Sequence, residues 1–499
     1  MRREGSTPRQ GASAAAVATA MLVASCAVGP DFHRPQAPAD AGYTAETLPA
    51  ETASAEVHGG VAQRFQSDRD IEGDWWTLFH SPALNALVEQ AFSANPNIEV
   101  AQSTLRQASE NVFAEEGAFF PAVNGSLSAT RQKIAGVSIG IPGVNPIFNV
   151  TTASVSVSYL LDVFGGTRRQ VEALAAQAEF QRFELEATYL TLASNVVVSA
   201  VQEASLRAQI AATQDIVDIE SQALDVLQHQ FELGGASRAA VLAQAATLAQ
   251  TRATLPPLDK QLAQVRDLIS VLAGRFPNAP PDAVFELSAL DLPQELPVSL
   301  PSRLVEQRPD IRAAEALLHS ASAQVGVATA NLLPQITLTG QYGTVSTGNP
   351  LAGVSVWSAA AGLTQPLFRG GELVHLRRAA VAAYEEAAAQ YRGTVLTAFQ
   401  NVADALRALQ SDADAVSAQL AAERAATDSL NIARQQFQLG AINYLLLLNA
   451  QQTYEQAHVG LVQAQANRYA DTAALFQALG GGWWNRTDVA TAANQSPAQ

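Results

Sequence analysis

The sequence predicts a mainly α-helical, internally duplicated chain with four β-strands of membrane-crossing length. Three observations predict it. The same proline and glycine punctuation recurs twice in one order. Two proline-poor stretches are far longer than the helices of a globule, and four segments alternate apolar with small polar residues.

The duplication comes first. Asn95-Pro96-Asn97-Ile98 matches Arg308-Pro309-Asp310-Ile311 at an offset of 213, and Phe120-Pro121 matches Leu333-Pro334 at the same offset. Phe164-Gly165-Gly166 matches Phe368-Arg369-Gly370-Gly371 near 205, and Gln230-Phe231-Glu232-Leu233-Gly234 matches Gln436-Phe437-Gln438-Leu439-Gly440 at 206. Chance similarity between Ala-rich helices would not keep Pro and Gly in step. Each half reads as helix, strand, strand, long helix, long helix. Ser81 and Pro82 open the first helix, expected to run to about Phe119, and its counterpart spans about Pro301 to Asn331.

The strands follow. After Pro121, Val123, Gly125, Leu127 and Ala129 alternate with Asn124, Ser126, Ser128 and Thr130. Ala153, Val155, Val157 and Tyr159 alternate with Thr152, Ser154, Ser156 and Ser158. In the second half Ile336, Leu338, Gly340 and Tyr342 alternate with polar residues, as, less cleanly, do Trp357, Ala359, Ala361 and Leu363. Period two puts the apolar set on one face and the uncharged polar set, suited to a wet lumen, on the other. Half-buried hairpins in a soluble sheet show the same alternation. A membrane barrel needs about eight strands or more, so four would have to be completed by other copies.

The long helices close each half. Residues 167–232 as one helix would span roughly 100 Å. Ile210, Val217, Leu224 and Phe231 are spaced by seven, and Val416, Glu423, Leu430 and Phe437 share that phase. Each arm turns back at a glycine: Gly234, Gly235, Ser237 and Arg238 form the first tip, and Gly440, Ile442, Asn443 and Tyr444 the second. Glycine ends the incoming helix, and Ser237 or Asn443 caps the outgoing one. Pro256-Pro257 is expected to kink the outgoing helix of the first half.

The 499 residues carry a net charge of -16 and only two lysines, Lys133 and Lys260, which excludes nucleic acid as a partner. Residues 1–25 read as a secretory leader: Arg2, Arg3 and Arg9, an apolar run from Ala12 to Val23, then small residues into Cys26. Cys26 is the single cysteine, so no internal disulfide forms. No later run of about 18 apolar residues exists, so any membrane crossing is by strands. Residues 26–70 read as anchor and extended tether, 71–275 as the first repeat, 276–301 as a linking strap, 302–484 as the second repeat and 485–499 as a tail.

Cys26 with Gly29-Pro30-Asp31-Phe32 and Arg34-Pro35 resembles the lipidated mature start of TolC-like outer-membrane factors, of the NodT-like branch. Asp74-Trp75-Trp76, Arg308-Pro309-Asp310, Leu333-Pro334, Pro366-Leu367-Phe368, the paired tips and Ala478-Leu479-Gly480-Gly481-Gly482-Trp483 extend the resemblance over nearly the whole mature chain. It implies a homotrimer whose twelve strands form an outer-membrane barrel continuous with a periplasmic helical barrel. It also implies a passive exit duct for small molecules (drugs, toxic compounds or metal ions), coupled through a periplasmic adaptor to a resistance-nodulation-division pump. The tips would form the narrow periplasmic end where the adaptor docks. Relatives often place an Asp where this chain has Ile442; Asp225 and Glu232 are the remaining acidic candidates for a constriction. The lipid anchor, on Cys26 with Ala27 after it, implies sorting to the outer membrane.

Nothing in the sequence points to an enzyme, a metal or a cofactor. The seven histidines, His33, His58, His80, His229, His319, His375 and His458, form no ligand-spaced pair, and no nucleotide-binding loop or nucleophile elbow occurs. Gly165-Gly166 and Gly370-Gly371 read as tight strand-to-helix turns. Two readings stand beside the small-molecule duct: a type I-like protein secretion duct, and a non-transporting periplasmic coiled-coil spacer tethered at Cys26.

Overall fold

The computed structural model describes residues 27–38, 42–46, 49–67, 69–135, 140, 142–143, 145–347 and 353–486. The leader, Cys26 and the end of the tail lie outside the described residues. Among those described, the first repeat comprises α1 (Pro82–Ala94), α2 (Pro96–Glu116), β2 (Ala122–Lys133), β3 (Ile147–Leu161), α3 (Gly166–Glu232) and α4 (Arg238–Leu272), preceded by β1 (Arg64–Ser67). After β4 (Glu295–Val298), the second repeat comprises α5 (Pro301–Gln307), α6 (Pro309–Ala330), β5 (Gln335–Thr347), β6 (Val354–Thr364), α7 (Glu372–Gln438) and α8 (Tyr444–Ala478). The repeat holds to the residue: α3 and α7 each have 67 residues, and α4 and α8 each have 35.

Two expectations change. The opening helix of each half is two helices, because the residue before a proline is pushed out of the α region. Asn95 (ψ 123) and Arg308 (ψ 125) are extended ahead of Pro96 and Pro309. The strands run longer than their clean alternation, to 15 residues in β3. Pro256 and Pro257, where a kink is expected, lie inside the single helical element α4. Packing along the rest of the helix outweighs a proline cost of about 3 kcal/mol.

The chain divides into two compact units. The first takes residues 27–35 and the described residues of Thr104–Arg182 and Ala313–Arg392, and holds an antiparallel sheet in the order β2-β3-β5-β6. The second takes the other described residues, including both helical turns and the parallel pair β1-β4. Its aromatic core stacks Trp75 on Phe476 at 5.1 Å, with Phe79 and Tyr469 beside them.

That core explains several motifs. Arg308 binds Asp310 through two bonds (3.0 and 2.6 Å) and donates to Ala478 O at 2.8 Å. Trp483 Nε1 donates to Gln307 O at 2.6 Å, and a Cβ on Gly482 (φ +69) would lie 2.4 Å from Glu72 O. The Arg-Pro-Asp and Gly-Gly-Gly-Trp motifs are therefore two sides of one structural junction. The tether is held as well. Arg468, fully buried on α8, donates to Gln63 Oε1, Gly59 O, Thr52 Oγ1 and Val61 O at 2.8–3.3 Å.

Candidate functional site

In the sheet, four separate sequence alternations land on one face. Register sets Val123 opposite Val157, then Gly340 and Ala359; the next row is Gly125, Val155, Tyr342 and Trp357. Toward the helices the same face continues through Tyr159, Leu338 and Ala361, then Leu161, Ile336 and Leu363. The other face carries rows such as Asn124, Ser156, Gln341 and Ser358, with Ser126 and Ser154 hydroxyls 2.9 Å apart.

The apolar face is left uncovered by the chain itself: Leu127 is 78% exposed, Trp357 77% and Leu363 68%. From Leu161 to Ala153 it runs roughly 27 Å along β3, against a lipid-facing band of about 25 Å in membrane barrels. In the last of these rows Leu127 and Ala153 already share the face with Thr344 and Ser355. The sheet also has two open edges, β2 and β6, exposed along their length. In lipid such edges leave backbone donors and acceptors unpaired, so closure by further strands is required.

In the other unit both helical turns have the expected chemistry. Gly234 (φ +78) and Gly440 (φ +70) take left-handed conformations. Gly235 N donates to Gln230 O at 2.7 Å, and Ala441 N to Gln436 O at 2.8 Å, satisfying the last carbonyls of α3 and α7. Ser237 Oγ accepts from Ala240 N at 3.2 Å and Asn443 Oδ1 from Leu446 N at 3.1 Å. Arg238 and Tyr444 are the first residues of α4 and α8. Leu233 and Leu439 stand 87% and 84% exposed at the apices.

The candidate constriction residues do not form one cluster. Asp225 and Glu232 are exposed on α3, whereas Ile442 packs with Phe437 and Tyr454 against Leu430, Ala433, Leu447 and Ala450. Among the described residues no group of His, Cys, Asp and Glu has a metal-binding arrangement, and no helix is long and apolar enough to cross a membrane.

A family model described as outer membrane efflux protein matches residues 87–275 and 300–481. The chain belongs to the outer membrane efflux protein family. It is 30% identical over 491 residues to the toluene efflux pump outer membrane protein TtgF of Pseudomonas putida, covering 94% of this chain and 96% of that relative. It is 31% identical over 435 residues to the pyoverdine export outer membrane protein OpmQ of Pseudomonas aeruginosa, covering 84% and 89%. The solved outer-membrane channel OprN matches with a TM-score of 0.81 at 27% identity, over 92% of this chain and 100% of that one. This outer membrane efflux protein has the TolC-like channel fold, and it is an exit duct, not an enzyme.

The structure of this efflux protein also accounts for the Gly-Pro-Asp-Phe-x-Arg motif, whose contacts are not readable from the motif alone. Val28 N donates to Phe164 O at 3.0 Å. Arg169, 5% exposed, reaches Val28 O, Asp31 (2.6 Å) and Glu172 (2.8 Å). Phe32 stacks on His319 at 4.4 Å, and Arg34 donates to Glu315 at 2.8 Å. Gly165 (φ +77) is required here, since a Cβ on it would lie 2.6 Å from Ala27. Residues 27–34 thus lie pinned where β3 turns into α3.

Proposed function

We propose that three copies close their four-stranded sheets into a twelve-stranded outer-membrane barrel, and that this trimer is the outer duct of a tripartite small-molecule efflux system. The observation that carries the proposal is the sheet, with one apolar band and two unpaired edges. The helical hairpin tips, around Gly234, Gly235, Ser237 and Arg238 and around Gly440, Asn443 and Tyr444, are the docking end for a periplasmic adaptor, which links the duct to an inner-membrane pump of the resistance-nodulation-division type. Asp225, Glu232 and Ile442 belong to the narrowing at that end. Relatives named for toluene and for pyoverdine export support a small-molecule cargo over a secreted protein.

Cys26 carries the lipid anchor. Support comes from its neighbour Ala27, held against Gly165 a few residues past the end of β3, where an acyl chain would meet the membrane boundary. Cys26→Ala should abolish acylation while leaving barrel insertion intact, as read by mass spectrometry of the mature protein; acylation that persists removes the anchor assignment.

The test of the duct is single-channel recording of detergent-purified protein in planar bilayers, with the oligomer mass measured in parallel. A conducting trimer is expected. A monomer that never conducts would refute the shared barrel and favour the tethered spacer.

A further inference from the structure

The two hairpins repeat at an offset of 206, which makes each an internal control for the other. Among their differences, three matched seam positions change from polar to alanine. Where the second hairpin packs Ala426, Ala450 and Ala457, all 9% exposed or less, the first packs Glu220, Gln244 and Thr251. The alanines demonstrate that the seam closes without polar groups there.

Glu220 is fully enclosed by its own chain, and neither carboxyl oxygen has a well-formed hydrogen bond, the Thr251 hydroxyl being only a weak donor toward it. Its enclosure is complete within one copy, so a neighbouring copy cannot reach it without the seam opening. The groups facing it offer no cation. From α4 come the Thr251 hydroxyl and Gln244, whose Nε2 donates to the Glu220 backbone oxygen at 2.8 Å. From α8 come the half-buried Glu455 carboxyl and the Tyr444 phenol, whose hydroxyl is also enclosed without a partner. Arg434 on α7 faces Tyr454 instead. Burial, then the charge of Glu455, raise the Glu220 pKa above the ordinary glutamate value, with Thr251 offsetting part of the rise. An isolated carboxylate in such a place is costly, and the neutral acid is not.

We propose that Glu220 is a proton-binding site that latches the first hairpin: the α3–α4 seam closes around the neutral acid and loosens when the carboxylate forms. The sign follows from linkage. The closed seam holds the proton more tightly than the released arms do. Its stability is therefore fully present below the ordinary glutamate pKa of about 4.3. It is lost as pH rises through the raised value of the closed form. The second hairpin has alanines at the matched positions and no buried carboxylate in its α7 seam there, so the α3 arm responds to periplasmic pH where the α7 arm does not.

The test is amide hydrogen exchange of the full-length protein in detergent at about pH 5 and about pH 8, corrected for intrinsic exchange chemistry. Protection of 216–224 and 244–251 should fall by roughly tenfold or more across that range, while 422–430 on α7 holds steady. Glu220→Gln should remove the fall, and Glu220→Ala, which copies the second hairpin, should protect the first hairpin at both pH values. Equal behaviour of the two hairpins in the unaltered protein, or a fall that survives Glu220→Gln, would overturn the proposal. Exchange reads the seam directly, so the result stands apart from whether the channel conducts.

Discussion

Arginine at position 157 should separate a membrane barrel from a soluble sheet. Val157 lies in the middle row of the stretch from Leu161 to Ala153, with Val123 and Gly340 on either side. In a barrel this row sits near the bilayer midplane, where a lipid-facing Arg costs about 2–4 kcal/mol. That penalty lowers the folding equilibrium of each copy by roughly 30- to 1,000-fold. Its immediate neighbour Ser156 points to the polar face, in register with Asn124 and Gln341. Arg there meets water in the lumen and should cost little. Thr151 lies outside the band, opposite Ala129 and Ser346, and Arg at that level should cost about 0–1 kcal/mol. The assay is urea-titrated folding into phosphatidylcholine vesicles, comparing Val157→Arg, Ser156→Arg and Thr151→Arg. The expected order is Val157 far below the other two. Equal losses at positions 156 and 157, or a harmless Val157→Arg, would refute the assignment of the apolar face to lipid.

Three further outcomes follow from contacts in the structure. Arg468→Met should remove the donor shared by Thr52, Gly59, Val61 and Gln63 and destabilise by roughly 3–5 kcal/mol; a lowered melting temperature with new protease cuts in 49–67 checks it, and unchanged digestion counts against it. Gly165→Val places a β-branched residue at φ +77 against Ala27, at about 1–3 kcal/mol of strain. Hydrogen exchange of residues 27–34 should accelerate while the strands stay protected. Asn443→Arg removes the α8 cap, worth about 1 kcal/mol, and adds bulk and charge at the second tip. Drug efflux should drop with the oligomer intact, and undiminished efflux would take that tip out of the functional account.

Much of this was legible because the sequence contains its own alignment. The 206-residue offset brought Ser237 and Asn443 to matching caps, and strand parity alone placed Val155, Tyr342 and Trp357 on one face. The strand ends were less readable, for a physical reason. Past Tyr342 the apolar member shifts to Val345, because β5 leaves the apolar band and its faces exchange preference. The helix breaks at Pro96 and Pro309 were visible in the pre-proline rule but masked by long helical patterns on both sides. Arg468 and Glu220 were not legible at all. Each looks locally like a charge on a helix surface, and only partners from α8 or the tether, far away in sequence, reveal its burial.

The segment after Cys26 has a consequence for how the chain is completed. Asp31 meets Arg169 across 138 positions, and Arg34 meets Glu315 across 281. The first joins it to α3 of one repeat and the second to α6 of the other. Contacts of such separation form late, since loop closure must precede them. Residues 27–34 therefore cannot settle until both copies of the duplication have been made and brought together. A truncated or half-folded molecule leaves these residues loose, and their fastening marks the finished one.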